Sequence, residues 1–215
     1  KKMQNEIHQN GSYQNVRMSS EGMINNNYRE NISVEELKDY DLSWFTGKIV
    51  VVDSQEKFDG IIAKLAKQKV LGFDTETRPS FRKGRKNKVS LIQLSTGNLA
   101  CLFRINKIGI PDKLAEILAD PGIVKAGVAI HDDLRFLKNI RKFEPDGFVD
   151  LQKFVKEFGI DSSGLKKLSA IILGFRISKR QQVTDWEASE LTEAQQTYAA
   201  TDAWVCYEIY RKLVN

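Results

Sequence analysis

The chain has only two cysteines in 215 residues, Cys101 and Cys206, far apart and outside any CxxC spacing. That excludes a disulfide framework and a cysteine metal knuckle, and it implies a reduced, cytoplasmic setting. No apolar run approaches the ~20 residues that span a bilayer, so no membrane association is expected. Lys1 and Lys2 lead into polar residues rather than into the apolar stretch of a secretory signal. There is no GxxxxGK[ST] stretch, which removes a helicase or ATPase from consideration on this chain. No internal repeat is visible.

What the chain does have is an uneven charge. Residues 78–88, RPSFRKGRKNK, carry Arg78, Arg82, Lys83, Arg85, Lys86 and Lys88 and no acid. Of 33 basic residues the other 27 face 28 acidic ones, so the whole excess of +5 sits in this one stretch. Such a segment can bind phosphates by releasing counterions. A charge run taken alone is more often a solvated loop.

With 41% hydrophobic residues the chain can bury one sizeable domain. Residues 1–31 hold ten Asn or Gln and few large apolar side chains, too few for a core of their own. Ser33-Val-Glu-Glu36 reads as a capping box opening a short helix. These residues set a boundary, with a polar arm over 1–47 and a compact domain over 48–215. Ile49 to Val52 is a β-branched strand, and Phe58, Ile61, Ile62 and Leu65 recur at helical spacing. A second strand, Val70 to Phe73, ends in Asp74-Thr-Glu76. Val89 to Ser95 and Leu99 to Arg104 form a hairpin around Thr96-Gly97-Asn98. A helix from Pro111 to Asp120 precedes a strand from Val124 to Ile130. The rest is mainly helical and ends in a long helix from Thr192 to Leu213. Mixed strands and helices with an early antiparallel hairpin predict an α/β class with a mixed sheet.

Three acidic pairings carry chemistry. Asp74 and Glu76 are two apart on a strand and so share a face. Two carboxylates beside an apolar strand are costly unless a cation offsets them, although a lone DxE is common. Tyr198 and Asp202 stack four apart on a helix face that continues through Val205, Ile209 and Leu213. An Asp on a buried face wants a partner; a helical Tyr is more often a core aromatic. The third is Asp132-Asp133, where a small-residue strand, Ala126 to Ile130, runs into a helix behind His131. One of these acids can serve the helix start, leaving the other for a metal.

Together these segments resemble the DEDD superfamily of 3′–5′ exonucleases on the RNase H-like fold. Its motifs stand in order as Phe73-Asp-Thr-Glu76, Gly127 to Leu137, and Tyr198 to Asp202. Linking pieces are similar to Werner-type exonuclease domains: Val89-Ser-Leu-Ile-Gln-Leu94, Gly164-Leu-Lys-Lys-Leu168, Asp185-Trp186 and Tyr198-Ala-Ala-Thr-Asp-Ala203. The resemblance selects Asp133, six residues after Gly127, over Asp132. With Tyr198 four residues before Asp202, it also selects the tyrosine branch, which removes His131 as the base. His131-Asp132 departs from the Glu-Gly that Werner-type domains resemble there.

The resemblance implies two Mg²⁺ or Mn²⁺ ions held by Asp74, Glu76, Asp133 and Asp202, with Asp74 shared between them. Tyr198 would orient the attacking water, since a phenol with a pKa near 10 is a poor base. It implies hydrolysis of phosphodiesters from a 3′ end to nucleoside 5′-monophosphates. The basic segment, including Phe81, would bind the strand. DNA is the expected partner, because RNase D-like enzymes usually carry a further helical domain. An exoribonuclease of the RNase D type is the alternative, as is a non-catalytic nucleic-acid-binding module on the same fold.

Overall fold

A computed structural model describes residues 28–78 and 88–215. Its centre is a six-stranded mixed sheet in the order β1-β4-β3-β2-β5-β6. The strands are β1 (Lys48–Val52), β2 (Val70–Thr77), β3 (Val89–Ser95), β4 (Leu99–Phe103), β5 (Val124–Gly127) and β6 (Phe148–Asp150). The helices are α1 (Gln55–Leu65), α2 (Ile105–Ile108), α3 (Asp112–Ala119), α4 (His131–Ile140), α5 (Leu151–Phe154), α6 (Leu165–Leu168) and α7 (Glu193–Val214). The expected α/β class and mixed sheet are both present.

Strand β3 is buried along its whole length and pairs antiparallel with both β2 and β4. The hairpin to β4 turns where expected, with Thr96 Oγ1 accepting from the Leu99 amide at 3.1 Å. Helix α1 starts at Ser54, whose side chain accepts from the Lys57 amide, and it buries Phe58, Ile61, Ile62 and Leu65. Those residues join Leu71, Phe73, Ile92, Leu94 and Phe103 in a core that also takes in α3 and α4. Helix α7 covers the opposite face of the sheet, resting on β1 to β5. Its N-terminus is fixed by a capping box between Thr192 and Gln195.

Three expectations are corrected. Strand β5 stops at Gly127 rather than at Ile130. Ala129 turns with φ 57°, and its amide donates to Asp150 Oδ1 at 3.1 Å. Edge strand β6 had no signal, because three residues are too few to show an alternation. The stretch from 151 to 173 holds only helical segments of four or five residues. The described part of residues 1–47 packs on the domain. Ser33 and Glu36 exchange the two hydrogen bonds of a capping box, although the helix they open is a 3₁₀ turn (Glu36–Asp39). Ile32 and Leu37 are buried against Ala170, and the Phe45 amide donates to Thr201 Oγ1 on α7 at 3.0 Å.

The approach of α7 to the sheet depends on small residues. A Cβ on Gly72 would lie 1.8 Å from the Ala203 carbonyl oxygen, so the helix rests on bare backbone of β2. Ala199, Ala200 and Ala203 on α7 are wholly buried. Gly72→Val should therefore destabilise the fold by at least ~1–3 kcal/mol, as overpacking does, and displace Asp202 from β2. Urea unfolding measures the first effect, and a stability equal to the parent would refute the close packing.

Candidate active site

Strand β2 presents alternate residues to its two sides. Leu71 and Phe73 enter the core with α1, while Gly72, Asp74 and Glu76 face α7. Helix α7 brings Asp202 and, one turn earlier, Tyr198 to the same place. One carboxylate oxygen from each of Asp74, Glu76 and Asp202 lies within 4.8 Å of the others. Glu76 and Asp202 are about nine-tenths buried. The continuing stripe of Val205, Ile209 and Leu213 is buried as well.

Asp133 arrives separately, from the first turn of α4. Its Oδ1 accepts a hydrogen bond from Thr75 Oγ1 at 2.6 Å, so it attaches to the same strand end as the other three acids. Gly127 permits this path, since a Cβ there would sit 2.8 Å from the Phe73 carbonyl oxygen. The neighbouring His131 and Asp132 are exposed, and Asp132 pairs with Arg135 at 3.0 Å. The residue that caps α4 is Ile130, with no side-chain cap.

The electrostatics are those of buried acids crowded together. Burial, then Asp202 and Asp133, hold Asp74 well above the carboxylate range. Burial pushes Glu76 up to about 10, with Asp74, Asp202 and Asp133 adding to it. Asp202 is pushed up to about 7 by burial, against the hydrogen bond from the Tyr198 hydroxyl and the charge of Lys179. Asp133 rises to about 6 by burial, opposed by the Thr75 hydrogen bond. The Tyr198 phenol is driven far up by burial and then by Asp202 and Glu76, which leaves it a hydrogen-bond donor and not a base. Trp186, wholly buried, packs against its ring at 6.0 Å. Oxygen donors gathered this way suit a hard divalent cation rather than a thiophilic metal.

Of the basic segment, Arg78 and Lys88 are described and both are exposed. Arg78 reaches Glu187 at 3.5 Å, and Ser90 Oγ donates to the same carboxylate at 3.0 Å. Phe81, Arg82, Lys83, Arg85 and Lys86 lie outside the described residues. Trp44 is half exposed. It lines an open groove of about 450 Å³ together with Leu42, Ser178, Arg180 and Tyr198. Trp44 stands with Leu42 and Phe45 in a cluster too short to show a period.

The sequence and the fold both match known proteins. Residues 49–215 match the family model described as 3′–5′ exonuclease. The mouse bifunctional 3′–5′ exonuclease/ATP-dependent helicase WRN is 33% identical over 169 residues, covering 73% of this chain and 12% of that protein. Among solved structures, Escherichia coli RNase D, an exoribonuclease involved in structured RNA processing, superposes with a TM-score of 0.68 at 28% identity. That match covers 78% of this chain and 44% of the other. The Aedes aegypti Nibbler EXO domain shares the fold with a TM-score of 0.69 at 24% identity, covering 80% and 90%. The chain spans between 12% and 57% of the lengths of five curated relatives that it matches.

Proposed function

The chain belongs to the 3′–5′ exonuclease family, and from that premise we propose that it hydrolyses the 3′-terminal phosphodiester of a DNA strand with two divalent ions. The observation that carries this reading is the convergence of Asp74, Glu76 and Asp202 within 4.8 Å, with Asp133 anchored to the intervening Thr75. Asp74, Glu76 and Asp202 would hold one ion, and Asp74 with Asp133 the other. When bound, Mg²⁺ or Mn²⁺ supplies Lewis acidity that activates water and stabilises charge on the leaving oxygen.

The protein's own contribution is placement. Tyr198, wedged by Trp186 and bonded to Asp202, aims its hydroxyl toward the carboxylates and can orient a water for in-line attack. Exposed Arg78 and Lys88 bracket the basic segment, which would follow the phosphate backbone. DNA is preferred over RNA on the linking pieces similar to Werner-type domains. The likeness to RNase D favours RNA as the second reading.

Digestion of 5′-labelled DNA and RNA oligonucleotides in Mg²⁺ or Mn²⁺ tests this. Shortening from the 3′ end, abolished by EDTA and by Asp74→Asn, is the expected result. Shortening that survives Asp74→Asn would sink the assignment. Digestion of RNA alone would transfer the substrate to the second reading.

A further inference from the structure

Gln93 lies in the middle of β3 and is fully buried, yet neither its Oε1 nor its Nε2 has a hydrogen-bond partner among the described residues. Buried side-chain amides are nearly always paired, so this one calls for a physical reason. In the antiparallel β2–β3 pair Gln93 stands directly opposite Asp74. Residues so opposed point to the same face, with Cβ atoms about 4.5–5.5 Å apart. A glutamine amide can reach a carboxylate that starts at that distance.

The neighbours that the sheet register gives it offer no other partner. Across β4 its register partner is Leu102, which is apolar. On the same face of β3, Leu91 is apolar, and Ser95 already donates to the Thr96 and Leu99 carbonyls. Overhead, α7 contributes Ala199 and Ala200, packed with Leu91 and Leu102. Asp74 is the polar side chain that the register sets against it.

Asp74 has room for such a donor. The Thr75 amide donates to it, while an ionised carboxylate offers about four acceptor sites. Resting on the metal-site reading above, we infer that Gln93 is a positioning residue, its Nε2 donating to the ionised Asp74 carboxylate and fixing the orientation in which Asp74 meets the divalent ions. Carboxylate ligands to metals are commonly held by such outer hydrogen bonds. The linking piece Val89 to Leu94 thereby acquires a role beyond that of a buried strand.

The test compares Mn²⁺ binding by calorimetry to the full chain and to Gln93→Met, which keeps volume and removes the donor, with Gln93→Leu as a second shape. Melting of both variants in EDTA is recorded alongside. Mn²⁺ affinity should fall ~10–100-fold, while the melting temperature in EDTA stays level or rises, because an unpaired buried amide has gone. Affinity equal to the parent overturns the inference, and equal affinity with a lower melting temperature assigns Gln93 to packing alone. If the parent itself binds no Mn²⁺, the metal-site reading fails first, a result distinct from either of these.

Discussion

Asp202→Asn is expected to lower 3′-end digestion by ~10²–10³-fold or more and, in the same protein freed of metal, to raise its thermal stability. The two effects share one cause. Asp202 is buried beside Asp74 and Glu76, and its acidity is weakened from 3.8 to about 7. At pH 8 the metal-free fold therefore carries a charge that the unfolded chain holds more comfortably in water. Asparagine removes that charge and keeps an oxygen to accept from Tyr198. The gain is on the order of a few kcal/mol, or several degrees in melting temperature for a domain of this size. Activity depends on that same charge, since a neutral amide gives a divalent cation little to bind. Melting curves in EDTA at pH 8, beside the digestion assay, read both arms. Lower stability with retained activity would make Asp202 a structural acid and refute the site.

The second large effect is a reversal of pH dependence by metal. Unfolded carboxylates titrate near 4, whereas Asp133 is shifted to about 6, Asp202 to about 7 and Glu76 to about 10 in the fold. Between pH 4 and the folded values the native state binds more protons than the unfolded chain. Stability contributed by these groups is thus complete below pH 4 and is lost as pH rises through 6 and 7. In EDTA the melting temperature should fall between pH 5.5 and 7.5. Lys125, lowered to about 8 by burial, acts in the opposite sense, but above that window. With Mn²⁺ or Mg²⁺ present, cations replace those protons, so binding tightens with pH and adds stability by mass action. The metal-induced rise in melting temperature should therefore be small at pH 5.5 and several degrees larger at 7.5. A metal-free melting temperature that climbs with pH, with no added effect of metal, would remove the carboxylate cluster as the cause.

The pairings needed for this chemistry could be read from local periodicity alone. Two residues apart on β2 and four apart on α7 placed Asp74 with Glu76 and Tyr198 with Asp202, because strand and helix periods fix which side chains share a face. The apolar stripe below Asp202 signalled its burial. Asp133 was not separable from Asp132 on that basis. Both begin α4, and what distinguishes them is a tertiary contact, the hydroxyl of Thr75 on another element. Gln93 carries no local signal for the reverse reason, since only the sheet register sets it against Asp74. Edge strand β6 was too short to leave a pattern. Phe45 is buried by tertiary packing, against Leu91 and Leu102 of the sheet and Ala199 and Ala200 of α7.

The bare contact between Gly72 and Ala203 also bears on how this chain can change. Backbone rests on backbone there, so the spacing between the acid of α7 and those of β2 is set by main chain and not by side-chain size. Substitutions on the outer surface of α7, around exposed Arg211 and Lys212, leave that spacing untouched. The helix can therefore acquire new surface chemistry, for a partner or for a longer strand, while the reacting geometry beneath it is inherited unaltered.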